Sequence, residues 1–155
     1  MNPTMRLSRV AVICGGLLVC LPVPSATSAE DIEAQRDQAA YAGSWRAVTI
    51  EADGNPQPAR ERNIVVVNRE DGTWTLSVDG REVSSGTNAF DPLATPPAID
   101  IEITAGDGAG SRLVGIYEID GDRRRLCFRG EREWRPTEFA TTPGSKAILV
   151  TFERE

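Results

Sequence analysis

The sequence predicts an all-β protein, an eight-stranded antiparallel barrel preceded by a short N-terminal helix. Three observations lead to this prediction: segments in which apolar and polar residues alternate, Asp-Gly turns between these segments, and hardly any helical pattern after residue 42. Short connections favour antiparallel neighbours, and eight strands are enough to close a barrel that leaves no sheet edge exposed. A two-sheet β-sandwich is the alternative architecture.

The first 29 residues have the organisation of a secretory signal peptide. Arg6 and Arg9 precede an uncharged run over residues 10–21, and small residues follow up to Ala29. A cationic start, an apolar middle and a small-residue end direct export, and the run is shorter than the roughly 20 apolar residues that a membrane-spanning helix needs. We therefore expect a signal peptide over residues 1–29, no stable membrane insertion after its cleavage, and an exported protein that is periplasmic or extracellular.

Cleavage of this segment changes the charge and the cysteine content of the chain. Removing Arg6 and Arg9, with no acidic residue, changes the formal net charge from −6 to −8. An acidic protein repels the phosphates of nucleic acids, so nucleic acid is excluded as a partner. Cys14 and Cys20 leave with the signal peptide, so Cys127 has no partner for an internal disulfide and could link two chains.

A short helix and eight strands follow in order. Residues 30–42 are rich in helix formers with acidic residues in the first turn, and the barrel domain covers residues 43–155. The clearest element is a β-hairpin, in which two alternating segments flank Asp120-Gly121-Asp122. The strand candidates cover residues 44–50, 63–68, 73–78, 81–90, 98–104, 113–119, 123–128 and 146–153.

Alternation within these strands predicts which side chains fill the barrel. The expected inward-facing residues are Trp74, Leu76, Val78, Ile99, Ile101, Ile103, Ile116, Leu126, Phe128, Ile148, Val150 and Phe152. Eight strands leave an interior just wide enough for side chains or for one small ligand. Because this set is bulky, we expect a mostly filled barrel, with at most a small pocket near an open end between Trp74 and Tyr117.

Several segments resemble a known family. Gly43-Ser44-Trp45 at the start of the first strand is similar to the Gly-x-Trp signature of lipocalins. In order along the chain, GSWRAVTIEADG, AIDI, GIYEIDGD with LCF, RPTEF and ILVTFERE resemble the small lipocalin-like domains of planctomycete-type bacteria. The resemblance covers Gly43 to the C-terminus. It implies a lipocalin-like barrel in which Trp45 closes one end, with an arginine across its ring, for which Arg135 and Arg154 are the candidates.

The residue inventory argues against catalysis. The chain has no histidine, the commonest general base, and Cys127 therefore has no histidine to activate it, although Arg125 and Arg129 on its strand face could lower its pKa. Asp100 and Glu102 could form a carboxylate pair, but strand alternation already explains both as solvent-facing. We expect no enzyme, no cofactor and no metal site, with a hydrolase as a remote alternative.

Two classes of function remain. One is an interaction or structural module that contacts an unknown protein through its outer face and loops, and the mostly filled barrel favours it. The other is a carrier of a small apolar ligand, for which Trp74, Tyr117 and Phe128 are the candidate contacts. The basic run of residues 123–125 is expected to form ion pairs with neighbouring strands.

Overall fold

The structure is a computed structural model that describes residues 27–155. The predicted signal peptide, residues 1–29, falls almost wholly outside the described residues and stays a prediction. The elements in chain order are helix α1 (Ala29–Tyr41), strands β1 (Gly43–Ala52) and β2 (Asn55–Pro58), a 3-10 helix (Arg60–Arg62), and strands β3 (Ile64–Asn68), β4 (Thr73–Val78), β5 (Arg81–Asp91), β6 (Ala98–Gly106), β7 (Arg112–Asp120), β8 (Arg123–Gly130) and β9 (Ile148–Arg154).

Strand β1 and strands β3 to β9 close into an antiparallel barrel. The sheet order is β2-β1-β3-β4-β5-β6-β7-β8-β9, and β9 also pairs with β1. That closing pair runs from Trp45 opposite Arg154 to Ala52 opposite Ile148. Strand β2 pairs with the C-terminal end of β1 and forms a short hairpin with it. The predicted eight-stranded lipocalin-like barrel is confirmed, and the sandwich alternative is wrong because each barrel strand is paired on both sides.

The alternating faces of the strands divide the apolar side chains into two clusters. The main cluster lies inside the barrel and includes Trp45, Trp74 and Phe152. Ile116, which was expected inside, belongs instead to an outer cluster with Cys127. The reason is that β7 is apolar on both faces, and Leu113 and Tyr117 take the inner one. The outer cluster is covered by Phe139, from the connection between β8 and β9.

Helix α1 lies across one end of the barrel, which we call the closed end. At this end β1, β4 and β8 begin, and β3 and β9 end. The helix starts at a capping box between Ser28 and Asp31. At the other end of α1 the buried Tyr41 ring packs edge-on against Phe90 and Tyr117, with centroids 5.0 and 5.7 Å away. Within residues 27–155, no helix is long and apolar enough to cross a membrane.

Candidate functional site

The barrel surrounds a cavity of about 350 Å³. All eight barrel strands and the last residue of α1 contribute to its lining: Tyr41, Ala47, Ile50, Ile64, Val66, Asn68, Trp74, Leu76, Val78, Ser84, Asn88, Ile101, Ile103, Leu113, Arg124, Leu126, Phe128, Ile148, Val150 and Phe152. The expectation of a mostly filled barrel is therefore wrong. The bulky residues other than Ile116 are inside as predicted, but they leave this space unfilled, and the small Ala47 lies among them on the inner face.

The half of the cavity away from the helix is apolar. It lies between the ends of β1, β4 and β8 and the beginnings of β3, β7 and β9. Its wall is made of Ile50, Ile64, Val78, Ile103, Leu113, Phe128 and Ile148. Each of these side chains is partly exposed, whereas those at the closed end are buried. The cavity is therefore most accessible to solvent at the end opposite α1.

The half of the cavity near the closed end contains polar groups. Asn68 ends β3, and Trp74 follows directly on β4, opposite it in the ladder. The side-chain oxygen of Asn68 accepts a hydrogen bond of 3.1 Å from Asn88. The Asn68 Nδ2 and the Trp74 Nε1 are buried, and neither has a hydrogen-bond partner among residues 27–155. Two residues that line the cavity therefore carry buried N–H groups without a partner.

Arg124 adds a buried positive charge to the same end of the cavity. Its side chain is 1% exposed and enters from the second position of β8. The guanidinium carbon lies 4.1 Å from the ring centroid of Tyr41, 4.3 Å from that of Phe152 and 4.7 Å from that of Trp45. Its Nε and Nη1 have no hydrogen-bond acceptor within the described part of the chain. The cation is therefore held by aromatic faces alone.

Burial changes the acidity of Arg124 without removing its charge at neutral pH. Desolvation, opposed by Tyr41 and assisted by the charge of Arg154, lowers the pKa of Arg124 to about 10. The expectation of ion pairs holds for Arg125, which lies 2.5 Å from Glu118, and is wrong for Arg124. The sequence contained the signal, because alternation with the inward Leu126 and Phe128 also turns Arg124 inward.

Trp45 lies at the closed end, 0% exposed, beneath the C-terminus of α1. Its Nε1 donates a hydrogen bond of 2.9 Å to the carbonyl of Tyr41. Arg154 covers the ring at 4.2 Å from its centroid and donates to the carbonyls of Ala42 and Ala40, at 2.9 and 3.1 Å. Tryptophan and arginine together thus satisfy three carbonyls at the helix end that have no partner within the helix.

Gly43 is required for this arrangement. Its backbone has φ of +123°, and a Cβ placed there would lie 2.4 Å from the Arg154 Nη1. Any other residue would displace the guanidinium from the Trp45 ring. The glycine of the Gly-x-Trp motif and the arginine across the ring are therefore two parts of one contact.

Arg135, the other arginine expected across Trp45, lies elsewhere on the outer face. Its Nη1 donates to the carbonyls of Ile99 and Gly115, at 2.8 Å each, and its Nη2 lies 2.6 Å from Asp100. It thus bridges β6 and β7 where their ladder leaves two carbonyls available. Its assignment to the tryptophan is wrong, since the loop that carries it lies outside the barrel wall.

The three predicted ligand contacts fall in two places. Trp74 and Phe128 line the cavity. Tyr117 is outside the lining and lies beneath α1, where its hydroxyl donates to the carboxylate of Asp37. Burial and the Asp37 carboxylate raise the pKa of Tyr117. We therefore regard Tyr117 as a contact between barrel and helix, and Arg124 and Asn68 as cavity residues that the sequence analysis missed.

Cys127 lies in the outer cluster and is 0% exposed. Burial raises its pKa, and the nearby charge of Arg129 opposes that shift without overcoming it. The alternative in which Arg125 and Arg129 lower the pKa of the thiol is therefore wrong. A buried, neutral thiol is unsuited to bonding with a second chain in the folded state.

Comparison of the chain with protein-family models, with curated proteins and with solved structures finds no match. The resemblance to planctomycete-type lipocalin-like domains stays a prediction about family. An interaction function also stays a prediction. Trp134, 88% exposed in the connection between β8 and β9, is the large apolar side chain most available for it within residues 27–155.

Proposed function

We propose that this protein is an exported binding protein that carries one small, mainly apolar molecule inside its barrel. The observation that carries the proposal is the cavity of about 350 Å³. Ligand sites in proteins begin at about 300 Å³ and are lined mainly by apolar side chains with a few polar groups. The resemblance to lipocalin-like domains supports the same function, and no catalytic step is assigned.

The unfilled space inside the barrel supports this proposal. Protein interiors are close-packed, and voids larger than a water molecule are few. Residual cavity volume also costs stability, at about 24 cal/mol per Å³ in a well-studied series of core truncations. Large apolar groups such as Ile101, Leu126 and Phe128 lie on the inner faces of the strands, yet a cavity of about 350 Å³ remains between them. A ligand that fills this space would make contacts that the empty cavity lacks.

The two ends of the barrel support a defined entry route. The closed end is covered by α1 and by the stack of Trp45 and Arg154. The opposite end has the partly exposed Ile64, Leu113 and Ile148 around the cavity. A ligand would therefore enter at the apolar end and move toward the helix.

Titration with an apolar fluorescent probe tests the proposal. N-phenyl-1-naphthylamine, added to delipidated protein expressed from the complete chain, should show saturable binding of one probe per barrel with a dissociation constant in the micromolar range or below. Leu76→Trp places a large ring in the cavity and should weaken binding at least about tenfold, because the added volume occupies the site.

Ser77→Trp is the matched control. Ser77 is the next residue on the same strand and faces away from the cavity that Leu76 and Val78 line. It should leave probe affinity within about twofold of that of the unmodified protein. Thermal unfolding establishes that both variants are folded. Absence of saturable binding by the unmodified protein, or equal weakening by the two variants, would contradict a binding site inside the barrel.

A further inference from the structure

We infer that the bound molecule carries a single carboxylate head group on an apolar body, and that the carboxylate binds Arg124 at the closed end of the cavity. This inference rests on the proposed function and specifies the ligand of that same cavity. Three observations support it: unsatisfied donors gathered at one end, a buried cation without a counter-charge, and an apolar opposite end.

The unsatisfied groups are all hydrogen-bond donors. Arg124 presents Nε and Nη1, Asn68 presents Nδ2 and Trp74 presents Nε1, and each of these atoms is buried without a partner in residues 27–155. All three residues line the cavity and lie within two positions of the strand end at the closed end. An unsatisfied buried donor destabilises the folded protein, so a bound acceptor would be stabilised here.

The chemistry of these donors selects among head groups. An ionised carboxylate offers acceptors only, with two oxygens and about four lone-pair sites. An alkylammonium group offers donors only and would oppose the same N–H groups. An alcohol could satisfy one donor but would leave the guanidinium without a counter-ion. The donors therefore favour a carboxylate over the other two.

The charge at the closed end also favours an anionic head group. None of the ion pairs formed within residues 27–155 includes Arg124. The charged side chain with the strongest influence on Arg124 is that of Arg154, which is also positive and also lies against the Trp45 ring. Buried charges in proteins are normally paired. One unpaired guanidinium matches one negative charge, which makes a monoanion the fitting partner.

The aromatic rings around Arg124 do not supply the negative charge or the hydrogen-bond acceptors that the guanidinium lacks. Tyr41, Trp45 and Phe152 present ring faces to the cation, and such contacts are favourable. Ring faces do not accept two directed N–H hydrogen bonds in the plane of the guanidinium. They hold the arginine in position and leave its Nε and Nη1 without a protein acceptor, so a carboxylate that binds the guanidinium in bidentate fashion displaces the side chains that cover these atoms.

The direction of the ligand follows from the two halves of the cavity. The head group lies deep, against the donors beneath α1. The apolar body extends toward the end lined by Ile64, Leu113 and Phe128. The acidic surface of the protein does not prevent this, because charges farther apart than about 8–10 Å are largely screened at physiological salt.

A comparison of three head groups on one chain tests the inference. Decanoate, decanol and decylamine are titrated by calorimetry into delipidated protein expressed from the complete chain. Decanoate should bind at least about tenfold more tightly than decanol, since hydrogen bonds to charged groups are stronger than those between neutral groups. Decylamine should bind more weakly than decanol.

Variants at Arg124 assign the effect to this side chain. Arg124→Met removes the charge and should abolish the preference for decanoate over decanol, while Arg124→Lys should retain part of it. Arg123→Met is the matched control, because Arg123 is the preceding residue on β8 and is exposed on the outer face. It should leave the preference unchanged.

A variant of milder effect provides a second test if Arg124→Met fails to fold. Trp74→Phe deletes one donor and should weaken decanoate binding several-fold without changing decanol binding. Equal affinity of the unmodified protein for decanoate and decanol, or a preference for decylamine, would overturn the carboxylate while leaving the apolar site in place. Failure of all three compounds and of the naphthylamine probe to bind would instead overturn the proposed function.

Discussion

A few side chains at the closed end connect the helix, the first strand and the last strand. Arg154, from the end of β9, contacts the Trp45 ring of β1 and the helix carbonyls of Ala40 and Ala42. Trp45 contributes a hydrogen bond to the helix as well as its buried ring. Each of these residues contacts more than one element. Replacing one of them should therefore lower the free energy of unfolding by more than the loss of its buried area alone predicts.

Trp45 and Trp134 provide a paired test at the residue scale. Trp45→Ala should lower the free energy of unfolding by roughly 3–5 kcal/mol, the usual cost of emptying a large aromatic core site. Trp134→Ala should change it by less than about 0.5 kcal/mol, because the side chain is 88% exposed. Urea unfolding followed by circular dichroism measures both. Similar losses in the two variants would show that Trp45 does not close the barrel.

Single residues also mark the limits of what the sequence could predict. Strand alternation correctly placed Trp74 and Phe128 inside, and the same alternation would have placed Arg124 there. It was missed because a run of three arginines is normally solvated. Ile116 was misplaced because β7 is apolar on both faces. Arg154 and Arg135 could not be distinguished without the tertiary structure, which places Arg154 at the end of β9 beside Trp45 and Arg135 in the connection after β8.

At the scale of elements, the close approach of β5 to β6 depends on Gly86. A Cβ built at Gly86 would lie 1.8 Å from the carbonyl oxygen of Glu102 and 2.9 Å from a ring carbon of Trp74. The first contact is with backbone, which cannot move aside without opening the ladder. The register of the pair shifts immediately beside this glycine, between Ser85 and Gly86.

Gly86→Ala should therefore destabilise the barrel by at least about 1–3 kcal/mol, the usual cost of overpacking. Gly130→Ala is the control, because Gly130 also belongs to a barrel strand, at the end of β8, and a Cβ there would meet nothing within 4 Å. Its effect should stay within about 0.5 kcal/mol. Thermal unfolding distinguishes the two. If Gly86→Ala left the unfolding temperature unchanged, β5 and β6 could separate at this point without loss of stability, which would contradict the prediction.

Most elements could be predicted because turn residues separate them clearly. Helix α1 covers Ala29–Tyr41 where residues 30–42 were expected, and each predicted strand is present. Strand β2 was missed, because Asn55–Pro58 contains two prolines and pairs on one side only. Proline lacks the N–H that a ladder needs, so it is tolerated at a sheet edge but does not predict a strand.

At the scale of the whole molecule, the cavity was the property that sequence could not supply. Alternation shows which side chains point inward, but the volume left over depends on all eight strands at once. Ile50, Ile101 and Phe128 lie far apart along the chain, and only barrel closure brings their side chains around one unfilled space. The predicted bulky set was correct apart from Ile116, yet the conclusion drawn from it was wrong.

Alkaline pH should destabilise the whole molecule. Burial raises the pKa values of Tyr41, Tyr117 and Cys127, whose ordinary values are 10.0, 10.0 and 9.0. Folding thus keeps these acids protonated, and the unfolded chain releases their protons first. Their contribution to stability is complete below about pH 9 and is lost as the pH rises through the folded-state pKa values.

Urea midpoints between pH 8 and pH 10 measure this effect. Stability should fall across that window, and Tyr117→Phe should make the fall shallower by removing one of the three acids. Above about pH 10, Arg124 changes stability in the opposite direction, because this arginine loses its proton in the folded state at a lower pH than in the unfolded state. The measurement therefore stops there. A constant or rising stability from pH 8 to pH 10 would contradict the assignment.

The pairing of β9 with β1 has a consequence for how the molecule is made. These strands lie at opposite ends of the barrel sequence, so their contact carries a large loop-closure entropy and is expected to form slowly. A nascent chain cannot complete the ring until residues 148–154 have left the ribosome. Until then it has neither a cavity nor a covered closed end. The cavity therefore forms only after β9 has been synthesised and has paired with β1.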